Sequence, residues 1–132
     1  MALDQTRANE ILTWMHGGAA TTALTGPMHV RIYTAVGNAT TAGTEVATGG
    51  GYTAAAGAPT VTYAAAAAGS QATNAVVSIT NYPRVETVTA IEIWDSAGTP
   101  KRVEWGALAA SKTMAIGDTL SFASGAITSA LA

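Results

Sequence analysis

Glu86, Glu92, Asp95 and Glu104 fall in one short stretch, and paired carboxylates are the usual equipment for general acid–base chemistry on a glycosidic bond. Their spacing argues against that use. Glu86 and Glu92 share one face of an extended strand at about 20 Å from each other, too far apart to work on one bond. Glu104 is the acid expected to approach Glu92 across a hairpin, and such a pair reads as a solvated strand face balanced by Lys101 or Arg102. Asp95 stands where a strand ends, so its carboxylate is expected to accept backbone N–H bonds from the following turn. His16 and His29 are the candidate metal ligands, but no third ligand stands at a suitable spacing. There is no cysteine, which excludes disulfides, thiolate metal sites and cysteine nucleophiles. The residues therefore point to a protein with no catalytic centre, cofactor or metal. What remains is aromatic: Trp94, Trp105, Tyr33 or Tyr52 could form a platform on which a sugar stacks.

Most of these side chains depend on one element, Thr87 to Gly106. Val88 to Trp94 is rich in β-branched and aromatic residues, the run from Ser96 to Pro100 supplies a reversal, and Val103 to Leu108 resumes an extended pattern. A hairpin results, with Ile91 and Ile93 on a dry face and Ala90, Glu92 and Trp94 on a mixed, outward one. Met28 to Ala35 alternates in the same way, so His29, Arg31 and Tyr33 are expected to face solvent or an interface. Further short strands are predicted over Thr60 to Tyr63, Asn74 to Thr80 and Thr119 to Ala123. The last of these is expected to form a closing hairpin with Ala126 to Leu131. The triple glycine Gly49 to Gly51 lacks the Lys-Ser or Lys-Thr of a phosphate loop and reads as a turn.

One helix is predicted, over residues 4–16. Asp4 caps it, Ala8, Ile11, Leu12 and Met15 recur at helical spacing with Trp14 beside them, and Gly17-Gly18 stops it. The whole pattern is a single all-β domain over 1–132, with residues 27–132 forming an antiparallel β-sandwich or jelly roll of about seven or eight strands after one short N-terminal α-helix.

Composition narrows the partners. Only 11% of the 132 residues are charged, the formal net charge is −2, and the six Lys and Arg residues form no basic stripe, so nucleic acid is not an expected ligand. No apolar run is long enough to span a membrane. The first ten residues lack the pattern of a secretory signal, which predicts a chain that stays in the cell where it is made or leaves by another route. So few charges imply a surface covered by small neutral side chains or by partners.

Several phrases of the sequence resemble a known family. Gly43-Thr44-Glu45-Val46 with Gly49-Gly50-Gly51-Tyr52, then Ile91 to Gly98, Trp105-Gly106-Ala107-Leu108, and Lys112-Thr113 with Gly117 to Ala126 are similar in order and spacing to small tailed-phage virion structural proteins. These are commonly labelled tail fibre or minor structural proteins, and similar β-rich proteins decorate heads. Two positions depart from the family pattern: Glu92, where a small residue is usual, and Thr53, where an arginine often follows the tyrosine.

The resemblance implies a virion location after synthesis in the host cytoplasm, and a non-enzymatic role. The leading expectation is a capsid decoration or minor capsid protein that binds the major capsid protein and reinforces the head as a homo-oligomer, either a trimer or a ring. The alternatives are a tail or tail-fibre component that touches the host surface, and a carbohydrate-binding module. Ile11, Trp14 and Met15, with Trp94 from the hairpin, are the residues expected to contact a subunit or partner.

Overall fold

The computed structural model describes residues 1–131. Asp4 acts as the predicted cap: its side chain accepts the Thr6 N–H at 2.9 Å and starts helix α1, Gln5–Met15. His16 ends the helix by donating its backbone N–H to Leu12 O, and Gly17 follows at φ +81°, a left-handed conformation that suits glycine. Just before the helix, Ala2–Leu3 forms a short strand, β1, that the composition does not signal.

The main sheet is built on three long strands, β2 (Met28–Ala35), β7 (Glu86–Trp94) and β8 (Arg102–Met114). Its order is β1-β8-β7-β2, all antiparallel, and the far edge of β2 is shared by β3 (Thr44–Glu45) and β4 (Thr60–Val61). Two small ribbons complete the fold. In one, β5 (Ser70–Ala72) pairs with β10 (Thr128–Ala130); in the other, β6 (Val77–Ile79) pairs with β9 (Leu120–Phe122). The predicted hairpin is β7–β8, where Ile91 faces Gly106 and Glu92 faces Trp105.

The expected sandwich core is present. Val30 and Ile32 of β2 and Ile91 and Ile93 of β7 point from one face of the sheet into a cluster closed by Val77, Ile79 and Leu120 from a ribbon and by Tyr52, Tyr82 and Ile127. β6 and β9 show the alternation read from the sequence: Val77, Ile79 and Leu120 are buried, while Ser78 and Ser121 are exposed.

Four expectations need correction. Ten strands are found among the described residues, more than seven or eight, because two-residue and three-residue strands such as β1 and β5 are too short to show a period. Thr119 to Ala123 and Ala126 to Leu131 do not pair with each other; each pairs with an earlier ribbon strand. β8 continues to Met114, past the expected end at Leu108, with a register shift opposite Val88 to Ala90. Most consequential, the supposedly outward face of β2 and β7 is buried: His29, Arg31, Tyr33, Ala90 and Glu92 are all at most 8% exposed. Alternation there separates apolar from polar residues, not core from solvent.

Emptying the apolar side of this sheet should be costly. Ile93→Ala is expected to lower unfolding free energy by about 2–5 kcal/mol in urea titrations. A loss below about 1 kcal/mol would show that Ile93 does not belong to the core.

Candidate functional site

The second face of the sheet holds a network centred on Arg102. This side chain donates from Nε and Nη2 to Asp4 Oδ2 at 2.9 and 2.7 Å, and from Nη1 to Glu92 Oε1 at 3.2 Å. It also donates to the carbonyls of Thr41 and Asn38 at 2.8 and 2.6 Å. One guanidinium thus joins the cap of α1, the middle of β7 and the 38–41 loop. Glu92 Oε1 takes a further bond from the Gly43 N–H at 2.9 Å, and Glu92 Oε2 one from the Trp94 indole at 3.0 Å.

The loop that roofs Glu92 needs glycine at two places. A Cβ at Gly37 would stand 2.7 Å from Glu92 Oε1, and one at Gly43 would stand 2.1 Å from Ala35 O. Next to Glu92, Arg31 stacks on Trp94 with 4.2 Å from its guanidinium carbon to the ring centroid, and lies 3.7 Å from Glu45. Tyr52 donates its hydroxyl to Glu45 at 2.8 Å. Burial first, then the charge of Glu92, pushes the Tyr33 hydroxyl up; burial does the same to Tyr52, and neither ionises near neutral pH.

The chemistry weighed from sequence distributes as follows. Glu92 and Glu104 do not approach each other: Glu92 pairs with Trp105 while Glu104 pairs with Ile93, which puts the two carboxylates on opposite faces of the sheet. Asp95 accepts from the N–H groups of Lys101, Thr25 and Ala97 at 2.7, 3.3 and 3.3 Å, as its turn position predicts. Burial works against its charge, yet these bonds outweigh burial and hold its carboxyl below the usual range. His16 Nδ1 lies 2.8 Å from Leu12 O, while buried His29 meets Ala58 O at 2.6 Å and Ser96 Oγ at 3.0 Å. Among the described residues no three His, Asp or Glu side chains gather to hold a metal ion. The stacking platform is not assembled: Tyr33 and Tyr52 are at most 2% exposed, and Trp94 is half-buried with its N–H shared between Tyr33 and Glu92.

The contact residues divide. Ile11 is half-buried against its own chain, where it lines a cleft with Leu3, Leu24 and Val103. Leu12, Trp14 and Met15 are 54%, 57% and 66% exposed, so the second half of α1 carries an apolar surface with no cover in the monomer. Arg7, itself buried, ties the first half of α1 to Glu10 and to Thr22 O. The sequence reading missed the network that holds this helix in place. Its only signal was the set of charged residues on strands whose neighbours are apolar.

Compared with known proteins, residues 2–130 match the family model described as Podophage GP4 fiber I protein gp80. Neither the curated proteins nor the solved structures gave a match.

Removing one partner of a buried ion pair leaves the other charge stranded, so Glu92→Ala and Arg102→Ala should each cost about 3–5 kcal/mol in urea unfolding. A loss within about 1 kcal/mol, the scale of an exposed pair, would overturn the network. Acid unfolding checks two further carboxylates, Asp95 and Glu104, whose ionisation the fold shifts in opposite directions. Asp95 has a depressed folded pKa, so its stabilisation is present above its unfolded value of about 3.9 and is lost as pH falls through the folded value. Asp95→Asn should therefore destabilise at pH 7 by more than at pH 3. Glu104 has the opposite sign, because burial raises its pKa: the stability tied to its protonated form is full below about 4.3 and is lost as pH rises. Glu104→Gln should gain relative to wild type between pH 4 and pH 8.

Proposed function

The chain belongs to the family described as Podophage GP4 fiber I protein gp80, and on that premise we propose that it is a structural subunit of a phage tail fibre, with no catalytic role. The match over residues 2–130 carries this reading. It favours the fibre over head decoration, the first expectation from the sequence, because the family's description concerns a fibre. The carbohydrate-binding alternative loses its main support with the burial of Tyr33 and Tyr52.

The rigid part of the subunit is the sheet with its core, and the contact surface is the exposed end of α1. Leu12, Trp14 and Met15 present bulky apolar side chains on a helix whose start is fixed to the sheet through Asp4 and Arg102. A pre-positioned helix loses little freedom on docking, which makes its anchors effective. A second apolar pair, Val85 and Ile116, is 71% and 72% exposed. The pair flanks the Glu86–Met114 end of the β7–β8 hairpin, and Arg102 stands at the other end, about 30 Å away by strand rise. Unlike patches at the two ends suit head-to-tail contacts, which close into a ring such as a trimer or extend along a fibre. Copies of this chain are accordingly the proposed partners of α1, within an assembly with other virion proteins.

Localising a tagged copy on intact particles by electron microscopy tests the reading. The tag should appear on fibres at the tail. A tag found only over the head shell, with unlabelled tails, would restore head decoration. Trp14→Ala should reduce the assembled mass in sedimentation while leaving the monomer's unfolding free energy within about 0.5 kcal/mol of wild type, as for an exposed position. Unchanged assembly would remove α1 from the interface.

A further inference from the structure

On the apolar side of the sheet one acid stays unexplained. Glu104 is 6% exposed, forms none of the ion pairs among the described residues, and takes its one side-chain hydrogen bond from Ser129 Oγ. It stands where two cavities meet, of about 250 and 230 Å³, both lined by Gln71, Glu104 and Ser129. The walls of the larger are mostly apolar, with Leu24, Met28, Ile93 and Val103, and Tyr63 also lines it. The Tyr63 hydroxyl is buried beside Ser129 but completes no hydrogen bond of standard geometry.

A buried carboxylate without an ion pair at contact distance is an expensive feature, and here it is combined with an open cavity, an idle hydroxyl and a sleeve of aliphatic side chains. A ligand that met all of these would carry a positive charge with N–H donors at one end and a short apolar chain behind it. We propose that this cavity binds an alkylammonium group, with the ammonium between Glu104 and Tyr63 and the alkyl chain against Met28, Ile93 and Val103. The proposal does not depend on where the protein sits in the virion. Two sources offer this chemistry: a free primary amine, or a lysine side chain inserted by a neighbouring protein.

Binding should follow the ionisation of Glu104. Among the described residues, the titratable and charged groups around it are the Met1 ammonium, whose field favours the carboxylate, the Tyr63 hydroxyl, pushed up to about 12 and so neutral, and the Arg7–Glu10 pair at the adjoining cleft under α1, which neutralises itself. Burial raises the carboxyl of Glu104, so binding should weaken as pH falls from 8 towards 5.

The experiment is a methyl-detected NMR titration of the full chain at pH 8 with butylammonium chloride, and in parallel with N-acetyl-lysine methylamide. Saturable shifts of the Met28, Ile93 and Val103 methyls are expected with at least one of the two. Glu104→Gln should lower affinity about tenfold or more, and Tyr63→Phe, which keeps the ring and the fold, should lower it severalfold. Tighter binding of the lysine derivative would assign the site to a partner's lysine, and tighter binding of butylammonium to a free amine. Butan-1-ol, equal in shape without the charge, should bind at least about tenfold more weakly. The proposal is overturned if neither amine gives saturable shifts, if butan-1-ol binds as well as butylammonium, or if a folded Glu104→Gln variant keeps wild-type affinity.

Discussion

The Arg102 guanidinium is the point on which the polar half of this structure depends. Its five N–H donors have a fixed planar arrangement, and four partners, Asp4, Glu92, Thr41 and Asn38, take up all five, with Asp4 accepting two. A lysine at this position would present a point charge with three donors and could not span the helix cap, the strand and the loop together. The consequence is mechanical. An eleven-residue helix is marginal alone, yet α1 starts from a residue tied to the central sheet, so its exposed end is held in a defined place.

This arrangement makes the main sheet an unusual partition. One face is an ordinary aliphatic core; the other is a layer of ion pairs and aromatic rings under the 36–43 loop. Buried ion pairs contribute little net stability compared with apolar replacements, because desolvation offsets most of their attraction. Their effect here is positional. Glu92 fixes the loop through the Gly43 N–H and fixes Trp94 through its indole, and the stacked Arg31 links both to Glu45 and thereby to the edge of β2. The close fit of Gly37 and Gly43 over Glu92 shows that the loop and the acid are shaped to each other.

The sequence made the apolar half legible and the polar half misleading, for one physical reason. Strand periodicity reports which residues share a face, and it placed Ile91 with Ile93 and Glu92 with Trp94 correctly. It does not report what covers each face. The cover over Glu92 comes from a Gly, Thr and Asn loop whose composition gives no sign that its backbone groups will satisfy a carboxylate and a guanidinium. The capped helix was legible because cap, stripe and glycine stop are all local. The ribbon pairings were not, because β5 meets β10 and β6 meets β9 across long separations and each match involves three residues. Asp95 was legible as a turn acid, since its partners lie mostly within a few residues.

The scarcity of charge gains its meaning from where the charges lie. All four arginines, Arg7, Arg31, Arg84 and Arg102, are in ion pairs within the chain, and Asp95 and Glu104 are buried. That leaves Lys101, Lys112 and Asp118 as the charged side chains outside these pairs and the buried acids, of which Lys101 is half-buried. Such a surface exerts little long-range electrostatic attraction or repulsion on a neighbour, which, on the proposed reading, leaves contacts to shape and to apolar burial at Leu12, Trp14 and Met15. For the proposed head-to-tail packing this is an advantage, because two unlike patches with few charges need no charge complementarity to meet. Moving the ionic groups inside lets them set the geometry of the subunit while leaving its outside free to be covered.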